Sequence, residues 1–444
     1  MAAAGTQLGR LLGGLWFLAA LLGRPGATAA VAGQPAAPAV ASVDGRRAVA
    51  ATGEDFVCAT LDWWPPDKCD YGTCAWGRAG LLNLHKNAGN ELSGTGVGAR
   101  VGADQYAADV IALKALVDDV YRSEPSKPLV VAPGGFFDQA WFTELVVKTG
   151  PDLLSVVTHH VYNLGPGTLA ATLRRDTHLI DKILDPSTLD GMLSTFSDLQ
   201  RLLKSTGTSA VAWVGEAGGA YNSGRHLVTD AFVFSFWFLD QLGMAARFDT
   251  KSYCRQSLVG GNYGLLNTTT FQPNPDYYSA LLWHRLMGTK VLAVTFSGTN
   301  KIRAYAHCAR DSPGITLLLI NLSGNATARV SVTAQGAAAA HAHRHGARKH
   351  GGGRKFRHVH VHVPGGGEAA AGAVRHEYHL TPKDGDLTSQ VVMLNGRALA
   401  TDAAGNIPAL EAVEVDAARP IAVTPYSIVF ARVPHFSAPA CRVE

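Results

Sequence analysis

The chain of 444 residues lacks an excess of charge of one sign. Lys and Arg total 39 against 35 Asp and Glu, so the formal net charge is +4 with neutral histidines. Proteins dedicated to nucleic acids usually carry a strongly basic surface. The sequence therefore predicts no nucleic-acid partner.

Long apolar runs are also lacking. The run from Leu11 to Leu22 is too short to span a membrane comfortably, and no later segment qualifies. Arg10 precedes this run and Ala-Thr-Ala at 27–29 resembles a cleavage site, so we predict a secretory signal peptide over residues 1–29. The expected location is extracellular or in the cell wall. A lysosome- or vacuole-type compartment and peripheral association with a membrane or wall are alternatives.

Cysteines are few, at six, but secretion would permit disulfides. Cys69 and Cys74 are close enough in sequence to pair locally. Secretion also gives meaning to three glycosylation sequons, although chance sequons are common. Their acceptors are Asn267, Asn321 and Asn325.

Between Glu91 and about Gly288 the sequence alternates between apolar strand patterns and helical patterns. The predicted strands of this region are 129–132, 154–160, 210–216 and 253–259, and a further strand at 56–61 precedes it. The predicted helices are 104–121, 139–149, 189–205, 230–242 and 277–287. The first helix carries an apolar stripe of Tyr106, Val110, Leu113, Val117 and Val120. This alternation is typical of a parallel α/β sheet.

Beyond Lys290 the pattern changes to short strands, which predicts an antiparallel β-sandwich. These strands are 302–308, 315–322, 328–332, 391–394, 397–400 and 427–433. Asn395-Gly396 between two of them predicts a hairpin. Residues 336–372, rich in Ala, Gly, His and basic side chains, are predicted to form an inserted and largely disordered loop.

Two carboxylates stand where catalysis is expected. The apolar run Ala210 to Gly215 ends on Glu216, as a buried strand does at the carboxyl end of a parallel sheet. In an eight-stranded α/β barrel that edge carries the catalytic residues. Glu91, preceded by Asn90, supplies the second carboxyl that glycoside hydrolysis needs. A purely structural glutamate at a strand end is the alternative for Glu216.

Seven short segments resemble plant heparanase-like proteins of glycoside hydrolase family 79. The similarity extends from about Val43 to Cys441 and is weak only in the His-rich insertion. The segments are Ala59–Pro66, Gly89–Gly94, Val131–Phe137, Thr158–Gly167, Trp213–Ala220, Tyr253–Gln256 and Pro273–Tyr278.

The resemblance implies a (β/α)8-type barrel followed by the sandwich, and retaining cleavage of β-glucuronides. It makes Glu91 the acid/base and Glu216 the nucleophile, facing one cleft. It places Tyr162 beside the nucleophile and names five sugar contacts, which are Asp62, Asn90, Gln256, Gly261 and Tyr263. The substrates would be glucuronic-acid-containing polysaccharides or glycosides, with no cofactor.

The resemblance also bears on the cysteines and the amino terminus. It pairs Cys308 with Cys441 and leaves Cys58 and Cys254 as buried strand thiols. It adds a strand near Val43 to Val49 to the sandwich sheet. The implied domains are a lead-in at 30–50, a barrel at 51–288 and the sandwich at 289–444.

The barrel is expected to be incomplete. Only 28 residues separate Asp62, at the end of strand one, from Glu91, at the end of strand four. The missing βα units would need on the order of 100 residues. We therefore expect strands 2 and 3 and most of strand 4 to be absent, through an alternative transcript or a wrong gene model. Little or no glucuronidase activity would follow.

The sequence leaves several alternatives open. A non-catalytic variant that binds sugars, or an unstable relic, is the main rival to an active hydrolase. A third hypothesis is a polyanion-binding module that uses the basic stretch Arg344 to His362. The six histidines at 341, 343, 345, 358, 360 and 362 suggest metal, but their low-complexity setting favours a solvated loop. His160 is either a core histidine or a site residue.

Overall fold

The structure is a computed structural model that describes residues 37–61, 101–169, 174–175, 178–335 and 373–442. These residues belong to one compact unit. Its two main components are a five-stranded parallel sheet flanked by helices and a larger sheet with mostly antiparallel pairing. The fold is therefore mixed α/β.

The described residues form seven α-helices and twenty strands, many of the strands short. The helices are α1 (Ala103–Val120), α2 (Gln139–Thr149), α3 (Leu179–Ile183), α4 (Pro186–Asp190), α5 (Leu193–Thr206), α6 (Phe232–Arg247) and α7 (Pro275–Leu286). The strands up to the last of the parallel sheet are β1 (Ala37–Ala51), β2 (Val57–Ala59), β3 (Val131–Ala132), β4 (Val156–Val161), β5 (Gly165–Pro166), β6 (Thr168–Leu169), β7 (Arg174–Arg175), β8 (Val211–Ala217), β9 (Ala220–Tyr221) and β10 (Ser252–Arg255). The remaining strands are β11 (Met287–Ser297), β12 (Ile302–Ala309), β13 (Ile315–Asn321), β14 (Ala328–Ala334), β15 (Val374–Pro382), β16 (Val392–Leu394), β17 (Arg397–Ala398), β18 (Val413–Asp416), β19 (Ile421–Val423) and β20 (Ile428–Val433).

The parallel sheet has the order β2-β10-β8-β4-β3. Helices connect β3 to β4, β4 to β8 and β8 to β10, so the chain alternates strand and helix as predicted. The first strand, β2, lies beside the last, β10, and both run in the same direction. In a closed (β/α)8 barrel the first and last strands are likewise neighbours.

Helix α6 lies between the two sheets and is buried on every side. All of its residues from Phe232 to Ala246 are buried. Its apolar side chains share one core with Val214 of β8 and with Leu318 and Phe430 of the large sheet. A helix with apolar side chains on every side is typical of such an enclosed position.

Helix α1 has the opposite character. Val110 of its predicted apolar stripe is buried, but Leu113 is exposed and Val120 is 63% exposed. Leu116, one helical turn before Val120, is 60% exposed. The stripe is therefore covered only in its amino-terminal half.

The large sheet differs in two ways from the predicted sandwich. Its strands form one continuous ladder in the order β17-β16-β15-β20-β13-β12-β11-β1-β14-β19, with β18 beside β15. One pair, β1 with β14, is parallel. Parallel neighbours require a long crossover connection, and β1 meets this requirement because it comes from the amino-terminal part of the chain.

Strand β13 contributes side chains to two hydrophobic cores, one on each face of the large sheet. Leu318 and Ile320 face the core shared with α6, while Leu317 and Leu319 face a second core within the sheet. Every residue of β13 is buried as a result. The segment Val43 to Val49, which the resemblance placed in this sheet, lies within β1.

The hairpin at Asn395-Gly396 is confirmed. Leu394 of β16 pairs with Arg397 of β17, and Asn395 and Gly396 have φ values of 50° and 80°. Two positive φ angles are what a tight hairpin turn requires.

The structure contains two disulfides between described cysteines. Cys308 and Cys441 are joined, with Cα atoms 5.2 Å apart, as the resemblance implied. The prediction that Cys58 and Cys254 are thiols is wrong, because they are also joined. These two residues lie directly opposite each other on β2 and β10. That adjacency depends on sheet order, which the local sequence does not reveal.

One predicted glycosylation site is incompatible with the fold. Asn321 is 1% exposed, and its side-chain amide donates hydrogen bonds to the carbonyls of Ala326, Val423 and Thr424. The nitrogen that would carry a glycan is therefore enclosed by the protein. Asn325 is exposed and Asn267 half-buried, so both stay predictions.

None of the described helices is long and apolar enough to cross a bilayer. The predicted signal peptide, the His-rich insertion, Cys69 and Cys74 lie outside the described residues.

Candidate active site

The candidate site lies at the carboxyl end of β8, where the strand bulges. Opposite β4, His159 pairs with Val214 and His160 pairs with Glu216, so Gly215 is an extra residue. The same irregularity appears opposite β10. Bulges often occur beside active sites, where they change the direction of a side chain. Here the bulge aims Glu216.

Gly215 makes this bulge sterically feasible. A Cβ atom at this position would lie 2.5 Å from Oγ1 of Thr158 on β4. Thr158 in turn donates a hydrogen bond to the carbonyl of Pro133, at 3.0 Å. A glycine inside a strand pattern is a recognised sign of a bulge, so the sequence contained this signal.

Two side chains from the end of β4 face the Glu216 carboxylate. The Tyr162 hydroxyl donates a hydrogen bond to Oε1. His160 Nδ1 lies 3.7 Å from Oε2. The resemblance placed Tyr162 beside Glu216, and the structure shows this contact. It also answers the question about His160, which faces the carboxylate rather than the core.

Gly218 allows Tyr162 to take this position. A Cβ atom on Gly218 would lie 2.6 Å from the Tyr162 ring. The glycines that follow Glu216 in the sequence are therefore part of the site, because they leave room for the ring that orients its carboxylate.

The two adjacent histidines of β4 differ in surroundings. His159 is fully buried, between the rings of Phe137 and Phe196. Burial, with a smaller effect of neighbouring His160, lowers the pKa of His159 to about 4. His159 is therefore neutral near pH 7 and cannot serve there as a proton donor of the imidazolium type.

Gln256 follows β10 at the same edge of the sheet. Its backbone N–H donates to the carbonyl of Ala217, at 2.9 Å, and its side-chain oxygen accepts from the Thr60 hydroxyl. This predicted sugar contact is thus tied to the residue next to Glu216.

Arg255 supports both strand ends and was missed in the sequence. It is fully buried and donates to the carbonyls of Ala217, at 3.3 Å, and Gln256. Its charge is matched by Asp276 of α7, at 3.1 Å. Burial raises the pKa of Asp276, and Arg255 opposes that effect. The sequence did contain a signal for this ion pair, which is a single Arg within a predicted strand and an acidic residue at the start of a later helix.

A second missed feature is the loop after β9. Asn222, Ser223 and Gly224 all have positive φ angles, between 61° and 67°. The loop bonds to the segment that contains the predicted sugar contacts, because Asn262 N–H donates to the Ser223 carbonyl at 2.8 Å. Asn, Ser and Gly are the residues that such turns prefer, so the sequence did signal a turn here.

Gly261 and Tyr263 lie in this contact zone. The Tyr263 ring is buried and packs closely on Gly224 and Gly261, where added Cβ atoms would lie 2.9 and 2.6 Å from it. The two loops therefore form one surface beside β8 and β10.

The other predicted site residues, Asp62, Asn90 and Glu91, lie outside the described residues. The expectation that Glu91 and Glu216 face one cleft stays a prediction. Among the residues that the structure describes, no group of three His, Cys, Asp or Glu side chains is placed to hold a metal ion.

Comparisons with known proteins identify a family. The family described as "Glycosyl hydrolase family 79, N-terminal domain" matches residues 38–88 and 85–243. Heparanase-like protein 3 of Arabidopsis thaliana is 40% identical over 518 residues, covering 90% of this chain and 94% of the relative. Baicalin-beta-D-glucuronidase of Scutellaria baicalensis is 33% identical over 519 residues, covering 87% and 90%.

A solved structure supports the fold alone. The 4-O-alpha-L-rhamnosyl-beta-D-glucuronidase from Fusarium oxysporum 12S superposes with a TM-score of 0.52 at 13% identity. The match covers 80% of this chain and 72% of that one.

Proposed function

Because the chain belongs to glycosyl hydrolase family 79, we propose that it is built to cleave β-glucuronides with retention of configuration. The observation that carries this proposal is the Glu216 carboxylate, aimed by a bulge in β8 and held by Tyr162. The names of two relatives, a heparanase-like protein and a baicalin-beta-D-glucuronidase, support glucuronic-acid-containing glycans or glycosides as substrates.

In this proposal Glu216 is the nucleophile. Its carboxylate attacks the anomeric carbon of the glucuronic acid residue while the bond to the leaving oxygen breaks. Glu91 gives its proton to that oxygen, then removes a proton from the water that releases the sugar from Glu216. Retaining enzymes place such carboxyl groups ~5–5.5 Å apart. No metal or organic cofactor is required by this chemistry.

The surrounding residues position the sugar. Tyr162 orients the nucleophile, since its hydroxyl is hydrogen-bonded to one carboxylate oxygen. Gln256 and the Gly261–Tyr263 loop stand at the same edge of the sheet and are proposed to contact the ring. Asp62 and Asn90 are proposed to complete that set.

The role of Glu216 can be tested without relying on Glu91. A 2-deoxy-2-fluoro-β-glucuronyl fluoride carries a leaving group that departs without a proton, and its glycosyl-enzyme hydrolyses slowly. We expect mass spectrometry to find one covalent glycosyl group on the peptide containing Glu216. Glu216→Gln should abolish the label, whereas Glu414→Gln, at an exposed site in the large sheet, should keep it. Labelling of another residue, or none, would contradict the assignment.

We further propose that the barrel is shortened between β2 and β3. The alignment with the Arabidopsis relative spans 518 positions, whereas 90% of 444 residues is about 400, so about 118 aligned positions have no counterpart here. The family match also divides into two pieces that meet at residues 85–88. Both facts support a missing internal block just before Asn90.

The exposed surface near β3 supports the same proposal. Val131 of β3 is exposed, and β3 is the end strand of the described parallel sheet. The carboxy-terminal half of α1 presents Leu113, Leu116 and Val120 to solvent. In a complete barrel, the preceding βα units would cover the edge strand and pack beside the helix.

A shortened barrel predicts little turnover. The missing units would carry the strand behind Glu91, and small misplacements of a catalytic group can cost ~100-fold in rate. The rival function, a non-catalytic sugar-binding variant, is favoured by the same exposed surface.

Restoring a family-type segment before Asn90 tests this explanation. On an aryl β-glucuronide the restored chain should be at least ~100-fold faster than the present one. Glu216→Gln in the restored chain provides the blank. Equal rates for the two chains would show that the missing block does not limit catalysis.

We also propose that the protein is secreted, as the segment 1–29 predicts. The two disulfides support this proposal, because disulfides persist in oxidising compartments. Expression with and without residues 1–29 tests it. The full chain should reach the medium with four oxidised cysteines at 58, 254, 308 and 441, and the shorter one should stay inside the cell.

A further inference from the structure

Phe136 is an aromatic side chain exposed beside the candidate site. It is 46% exposed and belongs to none of the apolar cores among the described residues. Its neighbour Phe137 turns the other way and packs edge-on against Phe142, with ring centroids 4.9 Å apart. Single exposed apolar side chains are common on protein surfaces, so exposure alone gives Phe136 no role. Its place beside the Glu216 site is what points to a function.

Phe136 contacts Tyr162, the residue that is hydrogen-bonded to the nucleophile Glu216. Its ring lies 6.2 Å from the Tyr162 ring, in an edge-to-face arrangement. Tyr162 donates the hydrogen bond that holds Glu216. Phe136 also forms a parallel bridge with His160, and the His160 N–H donates to the Gly135 carbonyl at 2.7 Å. The backbone that carries the phenyl ring is therefore fixed against β4.

The order of strands places Phe136 on the side of the leaving group. From the nucleophile strand β8 the sheet continues to β4 and then to β3, and Phe136 follows β3. The proposed acid, Glu91, is assigned by the resemblance to the end of a barrel strand, and in a complete barrel that strand would lie next to β3. Because the acid protonates the leaving oxygen, the leaving group lies on the acid's side of the bond that breaks.

We propose that Phe136 forms an apolar stacking surface for the group attached to glucuronic acid. This inference rests on the proposed glucuronidase function and specifies its substrate. The group would present a flat apolar face, which either an aromatic aglycone or the C–H face of a second sugar ring provides. Binding sites commonly combine such an aromatic wall with a few orienting polar groups.

Binding of uncleaved ligands tests this subsite independently of turnover. We choose three S-linked β-glucuronides, which resist hydrolysis: the methyl, the phenyl and a hexosyl thioglucuronide. Calorimetry on the full chain should show the phenyl ligand bound roughly 3- to 10-fold more tightly than the methyl ligand, the range expected for one aromatic contact. The hexosyl ligand distinguishes the two sources, since it gains over methyl only if the surface also accepts a sugar face.

The variants separate stacking from a general effect on the site. Phe136→Ala should remove the difference between phenyl and methyl ligands and leave methyl affinity within about 2-fold. Phe136→Tyr, which keeps the ring, should retain the difference. Val147→Ala, which removes an apolar side chain 61% exposed on α2, is the matched control and should change nothing.

Four outcomes would overturn the inference. They are no preference for phenyl or hexosyl over methyl in the parent, an unchanged preference in Phe136→Ala, an equal loss for all three ligands in that variant, and no binding of any ligand. The fluoride label on Glu216 shows separately whether the proposed function stands. A labelled Glu216 with no ligand preference would reject the stacking surface and leave the glucuronidase proposal intact.

Discussion

Helices α6 and α1 both carry many apolar side chains, yet they meet opposite surroundings. Residues 232–246 of α6 are all buried between the parallel sheet and the large sheet. In α1 only the amino-terminal half packs against the core, and Leu116 and Val120 in the other half are mostly exposed. An apolar face shows that a helix suits burial, but whether it is buried depends on which other segments pack against it.

The two strands that border the proposed gap, β2 and β3, also differ in how firmly they are held. On one side, β2 is paired with β10 and joined to it by the Cys58–Cys254 disulfide. On the other side, β3 pairs only with β4 among the described strands, over two residues. We therefore expect the region around β8, β10 and α6 to hold its structure well and the region around α1 and β3 to contribute less.

The largest effect should come from the centre of the well-packed region. Phe236→Ala in α6 removes a buried ring that packs on Phe232, with ring centroids 5.4 Å apart. The loss of apolar contact and the cavity left behind should lower the free energy of unfolding by about 3–5 kcal/mol. Denaturant titration with Leu116→Ala as the comparison measures it. Equal losses in the two variants would remove the contrast between the helices.

Removing the disulfide of β2 should have the next largest effect. Cys58→Ser with Cys254→Ser opens a crosslink between residues 196 apart, and such losses typically cost about 2–4 kcal/mol. The Cys308–Cys441 pair, 133 residues apart, should respond similarly in its own double variant. Thermal unfolding of both variants, each without a lone thiol, gives the comparison. An unchanged midpoint for the Cys58 variant would mean that β2 does not depend on its crosslink.

We expect the buried histidines to cause part of the loss of stability at acid pH. Burial lowers the pKa of His307 to about 4, whereas an unfolded histidine titrates near ~6.5. Between these values the unfolded chain binds a proton that the native chain does not, so stability falls as pH falls from 6.5 to 4. His307→Asn should reduce that slope by about 1.4 kcal/mol per pH unit. Asparagine can still donate to the Gly288 carbonyl, which His307 Nδ1 contacts at 2.6 Å.

The variant is best compared with the parent at several pH values. Urea titrations at pH 7, 6, 5 and 4 would provide the slopes. If stability depends on pH with the same slope in both proteins, protonation of His307 does not contribute to unfolding in acid.

The smallest stability effect should be on α1. Leu116→Lys places a charge on an exposed apolar face, and the free energy of unfolding should change by less than about 0.5 kcal/mol. Solubility should nevertheless improve, because an exposed apolar stripe promotes association. Light scattering at rising concentration tests this, with Val147→Lys on α2 as the control. A loss of several kcal/mol would show that Leu116 is covered in solution.

Much of the fold was predictable because it follows from sequence patterns within single segments. The helix predicted at 139–149 is α2, with the same bounds, and the Asn395-Gly396 hairpin has its predicted position. Other elements were missed. Strand β11 interrupts its apolar run with Gly288 and Lys290, and β15 contains His and Arg at positions that become buried or half-buried. The helix predicted at 189–205 divides into α4 and α5 near Gly191.

The site was predictable in part for the same reason. Glu216 ends an apolar run, and the glycines around it signal the bulge and the space for Tyr162. Arg255 and Asp276 were missed because their partnership joins two elements that are distant in sequence. Sequence patterns describe what each residue prefers within its own segment, whereas a buried ion pair depends on which segments meet.

The sequence by itself determined the family, the nucleophile candidate and the strand-helix order, because each rests on motifs or periodicities within a few residues. Only the tertiary structure decided which strands are neighbours. That order placed Cys58 opposite Cys254, enclosed Asn321, turned His160 toward Glu216 and left the carboxy-terminal half of α1 exposed. The physical reason is that burial, pairing and the distance between charged groups are properties of contacts between segments. A single segment can be suited to such contacts but cannot supply its own partner.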